Sequence, residues 1–204
     1  MSKIKICGIT NKEDALHCVS LGAHAIGFIF YKNSPRYVSP EKVQEITYFL
    51  PPFVQLTGVF VNSSAQFINQ TMKNCKLDII QLHGDEPTSL ISSLDYKVIK
   101  AIRVSSIKDL DLISPFQGIV SAILLDTKTS NQYGGSGKSF DWGVAHKASE
   151  MDFPLILSGG IGHHNIKKAL QLVNPYAVDV CSKVESDFGK KDYNKLASLF
   201  SAIN

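Results

Sequence analysis

Short apolar runs with a period of two alternate along the chain with longer segments whose apolar positions recur every three to four residues. The first run, residues 3–7, alternates isoleucine with lysine and cysteine, which is typical of a β-strand. Residues 11–21 follow it, with a capping residue at their start, acids in the first turn and Gly22 after their end. These features predict a helix, so the chain opens with a strand followed by a helix.

The same unit recurs along the whole chain. Strands are predicted at 3–7, 25–30, 55–61, 79–82, 97–102, 122–125, 155–157 and 177–180. Helices are predicted at 11–21, 40–50, 63–74, 87–94, 106–113, from about 141, at 164–173 and at 192–202. No linker or change in composition separates these units, so we expect residues 1–204 to form one domain.

Alternation of strands and helices predicts an α/β fold with a parallel sheet and right-handed crossovers. Eight such units fit a closed, single-domain (β/α)₈ TIM barrel better than an open sheet. A doubly wound open sheet is the alternative.

Composition and charge limit the classes of function. The 204 residues are 44% hydrophobic, and the net charge of +3 comes from scattered basic residues, which argues against nucleic-acid binding. No apolar run approaches the ~20 residues of a membrane span, and no signal-like segment precedes the first strand. The cysteines lack CxxC spacing, so we expect reduced thiols in a cytoplasmic protein, neither disulfides nor zinc ligands.

Residues capable of chemistry fall where the predicted strands end, and in such barrels the carboxyl ends of the strands carry the active site. Cys7 ends the first strand beside a helix start, where the helix dipole favours a thiolate; the alternative is a small buried hydrophobe. Asp126 follows an apolar strand, either as a loop carboxylate or as a rim carboxyl group whose partial burial favours its acidic form.

Three further polar residues are candidates for substrate contacts. Arg36 lies in the long loop after the second strand, either solvated or gripping a carboxylate with its guanidinium fork. His83 follows the fourth strand as a rim contact or a loop cap. Asp179 shares an inward face of the eighth strand, where it contacts a ribose hydroxyl or pairs with Lys5.

Glycine-rich turns after the late strands indicate a phosphate site. The loops after strands seven and eight of these barrels commonly bind phosphate through backbone N–H groups. Glycines let the backbone approach an anion closely, although a tight strand–helix turn is the alternative. The candidate phosphate-binding residues are Gly135, Gly137, Gly159, Gly160, Ser182 and Lys183.

With these residues identified, the chain resembles the phosphoribosylanthranilate isomerases of tryptophan biosynthesis. The matching motifs are KICGIT at 5–10, SPRYVS at 34–39, GVFVN at 58–62, QLHGDE at 81–86, LLDTK at 124–128, GGSGKSFDW at 134–142, LSGGI at 157–161 and AVDV at 177–180. They span nearly the whole chain in the family's order.

The resemblance implies a (β/α)₈ barrel without metal or organic cofactor that binds a small phosphosugar. The charge and the short apolar runs predict no nucleic-acid or membrane partner, and the assembly is expected to be a monomer or a homodimer. It implies an Amadori rearrangement of N-(5-phosphoribosyl)anthranilate to 1-(2-carboxyphenylamino)-1-deoxyribulose 5-phosphate. Carried over by position, Cys7 is the general base, Asp126 the general acid and Arg36 the ligand of the anthranilate carboxylate.

One stretch departs from the family pattern. Where the family usually has SSGVE, this chain has CSKVE, so that Cys181 replaces a serine and Lys183 a glycine. A lysine is strained if this position needs a positive φ angle. Alternatively its ammonium adds a contact to the phosphate, and we expect this second outcome.

Other phosphosugar barrels are the enzymatic alternatives. The related isomerase of histidine biosynthesis typically has a carboxylate where this chain has Cys7, and indoleglycerol-phosphate synthases use lysine and glutamate at the rim. A phosphate-binding barrel without catalysis is the non-enzymatic alternative. The presence of both Cys7 and Asp126 argues against all three.

Overall fold

The computed structural model describes residues 2–128 and 140–203. The barrel strands are β1 (Lys3–Cys7), β2 (Ala25–Ile29), β3 (Gln55–Phe60), β4 (Ile79–Leu82), β5 (Lys97–Val104), β6 (Ala122–Thr127), β7 (Leu155–Leu157) and β8 (Ala177–Val180). Each strand pairs in parallel with the next, and β8 pairs with β1 to close the barrel. The predicted (β/α)₈ barrel is therefore confirmed, and the open sheet is wrong.

Helices follow the strands on the outside of the barrel. They are α1 (Lys12–Ser20), α2 (Pro40–Thr47), α3 (Ala65–Asn74), α4 (Thr88–Ile91), α5 (Trp142–Ser149), α6 (Ile166–Val173) and α7 (Tyr193–Ser201). Two 3₁₀ helices cover Ile107–Phe116 and Ser182–Val184, and a two-stranded hairpin pairs β9 (Glu185–Asp187) with β10 (Lys190–Lys191). Within the described ranges, no helix is long and apolar enough to cross a membrane.

The elements after β4 and β5 and the end of strand β6 differ from the sequence prediction. The helix after β4 has a single turn, Thr88–Ile91, and the helix after β5 is a 3₁₀ helix that ends beside Pro115. Strand β6 continues two residues beyond its apolar run, because Asp126 and Thr127 pair with Arg103 and Val104 of β5. Asp126 consequently lies within the strand ladder and has the fixed orientation of a strand residue.

Alternation along the strands divides the buried side chains into two layers. Outward-facing residues pack between the sheet and the helices in one large cluster. A smaller apolar cluster fills the amino-terminal half of the barrel interior: Ile99, Ala101, Ala122, Leu124, Ile156 and Ala177. The next inward positions of β6 and β8 are Asp126 and Asp179, so the interior changes from apolar to polar toward the carboxyl ends of the strands.

A buried ion pair fixes the loop after β4. Lys100 on β5 is 2% exposed, and its Nζ lies 2.9 Å from Glu86 Oε2 and 2.6 Å from the carbonyl oxygen of Gly84. Glu86 in turn accepts hydrogen bonds from the N–H groups of Gly84 and Asn62. This network holds the backbone directly after His83 at the barrel mouth.

We expect Lys100→Met to lower the free energy of unfolding by about 3–5 kcal/mol, because it leaves the Glu86 carboxylate buried without its cation. Urea unfolding followed by circular dichroism measures this change. Lys97→Met, at the exposed start of the same strand, is the matched control and should change stability by less than about 0.5 kcal/mol. Equal effects of the two variants would contradict the role of the buried pair.

Candidate active site

A cavity opens at the carboxyl ends of the strands. It is lined by all five residues predicted to act in catalysis or in substrate contacts other than phosphate binding. Its lining consists of Cys7, Ile29, Tyr31, Ser34, Arg36, Val59, Val61, Gln81, His83, Asp126, Ser158, Asp179 and Cys181. Strands β1 and β6 are separated by β7 and β8 around the barrel. Cys7 and Asp126 therefore approach the same cavity from different sides.

Cys7 is the last residue of β1 and is 5% exposed. Its partner on β2 is Gly27, where an added Cβ would lie 2.8 Å from the Cys7 sulfur and 3.0 Å from Lys5 Nζ. A glycine at this position thus leaves room for both side chains inside the barrel.

The surroundings of Cys7 favour its thiolate. A hydrogen bond from the Cys181 thiol, followed by the positive charges of Lys5 and Lys191, outweighs the effect of burial and lowers the pKa of Cys7 to about 6. The pKa of Cys181 is raised, because its proton is shared with Cys7 and because it is buried. Cys7 is therefore the thiol of this pair that ionises first.

Cys181 has a single proton and two possible acceptors. Its sulfur lies 3.9 Å from Glu185 Oε1, a long contact, and Glu185 already accepts hydrogen bonds from Arg36 and Lys191. Since the Glu185 carboxylate has these two donors at 2.9 and 3.0 Å, the thiol proton of Cys181 is available to a Cys7 thiolate.

Lys5 and Asp179 form a buried ion pair across β1 and β8, with Nζ and Oδ1 2.8 Å apart. Burial by itself lowers the pKa of Lys5, but the charges of Asp179 and Cys7 outweigh it, so that the pKa is raised and Lys5 stays a cation. Of the two alternatives for Asp179, pairing with Lys5 is therefore present. The carboxylate also lines the cavity, so contact with a sugar hydroxyl stays a prediction.

Asp126 and His83 form the opposite side of the cavity. Asp126 Oδ1 accepts a hydrogen bond of 2.8 Å from the N–H of Thr127, and Oδ2 lies 3.3 Å from His83 Nε2. Gln81 Nε2 lies 2.9 Å from His83 Nδ1. The contact with Gln81 orients the His83 ring so that its Nε2 faces Asp126.

Arg36 is held by a carboxylate that the sequence analysis missed. Its Nε and one terminal nitrogen donate to Glu185, with distances of 2.9 and 2.7 Å to Oε1 and Oε2. Lys191 Nζ also contacts Glu185 at 3.0 Å and donates to the carbonyl oxygen of Cys7 at 2.7 Å. Glu185 thus positions both Arg36 and the end of β1. The sequence feature that could have identified Glu185 is its position in the CSKVE stretch, directly after the eighth predicted strand.

The second terminal nitrogen of Arg36 has no hydrogen-bond acceptor among residues 2–128 and 140–203. The burial of Arg36 lowers its pKa, but the hydrogen bonds and charge of Glu185 outweigh burial and raise it. Arg36 therefore presents a permanent positive charge and free N–H groups at the cavity.

The turn after β7 has the geometry of an anion-binding loop. Gly159 and Gly160 have φ angles of +88° and +66°, which favour glycine. In the described part of the chain, no acceptor faces the N–H groups of these two residues. Asn165 bridges the turn, donating to the Gly160 carbonyl at 3.0 Å and accepting from the Gly162 N–H at 2.8 Å.

Ser182 and Lys183 lie in the 3₁₀ turn after β8. Lys183 is not among the residues with positive φ, so the strain considered for a lysine at this position is absent. An added Cβ at Gly162 would lie 3.0 Å from Lys183 Cβ, which places this turn directly beside the glycine turn after β7. The other candidate phosphate ligands, Gly135 and Gly137, lie outside the described residues.

Comparison with known proteins identifies the family of this chain. The family model described as N-(5'phosphoribosyl)anthranilate (PRA) isomerase matches residues 4–202. The N-(5'-phosphoribosyl)anthranilate isomerase of Trichlorobacter lovleyi is 46% identical over 196 residues, which cover 96% of this chain and 95% of the relative.

Solved structures agree with this match. The phosphoribosyl anthranilate isomerase of Thermotoga maritima superposes with a TM-score of 0.93 at 41% identity, covering 99% of this chain and 98% of that chain. A phosphoribosyl anthranilate isomerase in complex with reduced 1-(o-carboxyphenylamino)-1-deoxyribulose 5-phosphate superposes with a TM-score of 0.90 at 40% identity, with the same coverage. The chain therefore belongs to the N-(5'-phosphoribosyl)anthranilate isomerase family, which acts in tryptophan biosynthesis.

Proposed function

We propose that the chain rearranges N-(5-phosphoribosyl)anthranilate to 1-(2-carboxyphenylamino)-1-deoxyribulose 5-phosphate with Cys7 as general base and Asp126 as general acid. The observation that carries these roles is that both side chains line one cavity at the barrel mouth, in a chain of this family. The reaction needs one group that donates a proton and another that removes one. We further expect residues 1–204 to act as one catalytic domain.

Ring opening is the first step. Asp126 donates its proton to the ribose ring oxygen, the bond from this oxygen to C1′ breaks, and the anilino nitrogen supplies the electron pair of the resulting Schiff base. Oδ1 of Asp126 is fixed by the N–H of Thr127, which leaves Oδ2 to carry the proton. His83, at 3.3 Å from Oδ2, is placed to contact the sugar beside it.

Proton abstraction is the second step. The Cys7 thiolate removes the proton from C2′, the electron pair flows to the Schiff base nitrogen, and the resulting enol tautomerises to the ketone. Cys7 gains the proton that Asp126 lost, so no proton is consumed overall. The hydrogen bond from Cys181 and the charge of Lys5 keep Cys7 in the thiolate form that this step requires.

Substrate orientation comes from charges at the two ends of the molecule. The free N–H groups of Arg36 suit the anthranilate carboxylate. The N–H groups of Gly159 and Gly160, together with Ser182 and Lys183, suit the phosphate. Holding both ends would place C2′ and the ring oxygen between the base and the acid. Asp179, held by Lys5, is proposed to accept a hydrogen bond from a ribose hydroxyl.

The cellular location and the assembly remain predictions. The four cysteines are all free thiols, which fits the expected cytoplasmic location. The assembly is expected to be a monomer or a homodimer, and the partner in either case is a small phosphosugar.

We expect Cys7→Ser and Asp126→Asn each to lower kcat by about 10²- to 10⁴-fold with little change in KM, since each removes one positioned proton transfer. The assay generates the substrate from anthranilate and phosphoribosyl pyrophosphate with the preceding transferase and follows the loss of substrate fluorescence. Cys75→Ser, which alters a buried thiol away from the cavity, is the matched control. Near-normal turnover in Cys7→Ser would remove the assignment of the base.

The pH profile of kcat/KM should report the thiolate. Only ionised Cys7 accepts a proton, so the acidic limb of the kcat/KM profile should rise with pH through about 6, the lowered pKa of Cys7. Cys181→Ala removes the hydrogen bond that stabilises the thiolate, so its rise should occur at higher pH. An unchanged profile in Cys181→Ala would contradict the proposed hydrogen bond.

Lys183 should contribute to phosphate binding. We expect Lys183→Met to raise KM by about two- to fivefold at low salt with unchanged kcat, in keeping with the ~0.2–1 kcal/mol of an exposed charge pair. Lys190→Met, which removes another exposed lysine in the nearby hairpin, is the control for net charge. A KM that stays equal or falls in Lys183→Met would refute the contact.

A further inference from the structure

We propose that Cys7 and Cys181 form a reversible disulfide across β1 and β8 when the protein meets a peroxide. Both side chains line the active-site cavity, and in the described structure both are free thiols. The bond itself follows from the placement of the two residues. Its effect on turnover rests on the proposed function, because the bond would remove the thiolate that acts as base.

Strand pairing places the two cysteines side by side. In the register of β1 and β8, Lys5 pairs with Asp179 and Ile6 with Val180, so Cys7 at the end of β1 and Cys181 directly after β8 both follow the last pair. Neighbouring strands lie about 4.8 Å apart, within the ~4.4–6.8 Å between Cα atoms that a disulfide spans. Both side chains line the cavity at the barrel mouth.

Two glycines confine the sulfur atoms to one small space. An added Cβ at Gly27 would lie 2.8 Å from the Cys7 sulfur, and an added Cβ at Gly8 would lie 2.9 Å from the Cys181 sulfur. The Gly8 N–H donates to the Gly27 carbonyl oxygen at 3.0 Å, so the two glycines, and the sulfurs that lie against them, are close together. The disulfide requires the two side chains to rotate toward each other within this space.

The charges around the pair assign a different role to each sulfur. Cys7 lies beside Lys5 and Lys191, and its lowered pKa makes it the sulfur that attacks a peroxide. Cys181 keeps its proton as long as Cys7 is a thiolate. Oxidation of Cys7 removes that negative charge, while Lys191 and Arg36 remain to stabilise an ionised Cys181.

The chemistry balances in two steps. The Cys7 thiolate attacks one oxygen of hydrogen peroxide, the O–O bond breaks, and Cys7 sulfenic acid and hydroxide form. The Cys181 thiolate then attacks the Cys7 sulfur, the S–O bond breaks, and the disulfide forms with loss of hydroxide, which is protonated to water. Sulfur is oxidised and peroxide oxygen reduced, and a dithiol reagent reverses the bond by exchange.

The other two cysteines lack these features. Burial raises the pKa of Cys18 to about 12 and that of Cys75 to about 11, which disfavours their reactive thiolates. Neither lines the cavity. The proposed oxidation is therefore confined to Cys7 and Cys181.

Peroxide titration of the purified full chain tests the proposal, with digestion under non-reducing conditions and mass spectrometry. The expected product is one linked peptide pair that contains Cys7 and Cys181 and lacks two hydrogens. Activity should fall about 10²- to 10⁴-fold, as for loss of the base, and return after treatment with dithiothreitol. Absence of the linked pair would overturn the proposal.

Cys181→Ser separates the disulfide from simple oxidation of Cys7. Without a resolving thiol, Cys7 should proceed to sulfinic acid, and dithiothreitol should not restore the activity, measured relative to the same variant before oxidation. Cys75→Ser, the matched control, should behave as the unaltered chain does. Recovery of Cys181→Ser to the same extent would refute the role of Cys181. A linked pair without loss of activity would support the bond and instead overturn the assignment of Cys7 as base.

Discussion

The proposed mechanism depends on a negative charge on Cys7, which a barrel interior does not tolerate without compensation. Lys5 and Lys191 supply positive charge beside the sulfur, and each is itself held by a carboxylate, Asp179 or Glu185. Buried charges of this kind are costly unless they are paired and hydrogen-bonded. The two ion pairs therefore make a thiolate possible at this depth, and they explain why charged side chains occupy inward positions above an apolar layer.

The closed sheet is what brings these groups together. Cys7, at the end of β1, and Glu185, in the hairpin after β8, are far apart in the chain. The pairing of β1 with β8 brings the ends of these two strands together, and with them these two residues. Lys191, on the hairpin after β8, then reaches both the Glu185 carboxylate and the Cys7 carbonyl oxygen. Glu185 also holds Arg36 from the loop after β2, so one carboxylate links three segments around Cys7.

The strands and the reactive residues at their carboxyl ends could be predicted from the sequence. The residues that contact these side chains could not. Strands β1, β4, β7 and β8 have the predicted bounds, since period-two apolar runs are short and bounded by turn residues. The hairpin after β8 was missed, because its stability comes from contacts of Glu185 and Lys191 with other segments and not from local pattern. The choice between ribose and Lys5 for Asp179 likewise required the register of two strands distant in sequence.

The two departures from the family pattern have different consequences. Lys183 occupies an exposed turn whose backbone accommodates a side chain, so the replacement of glycine adds a charge at the edge of the site without strain. Cys181 instead lines the cavity together with Cys7, so that a thiol stands where the family resemblance implies a serine hydroxyl. A thiol donates a hydrogen bond as a hydroxyl does but, unlike a hydroxyl, is itself oxidisable. In the proposed mechanism, the residue that favours proton abstraction by Cys7 is therefore also the one that would let the site form a disulfide.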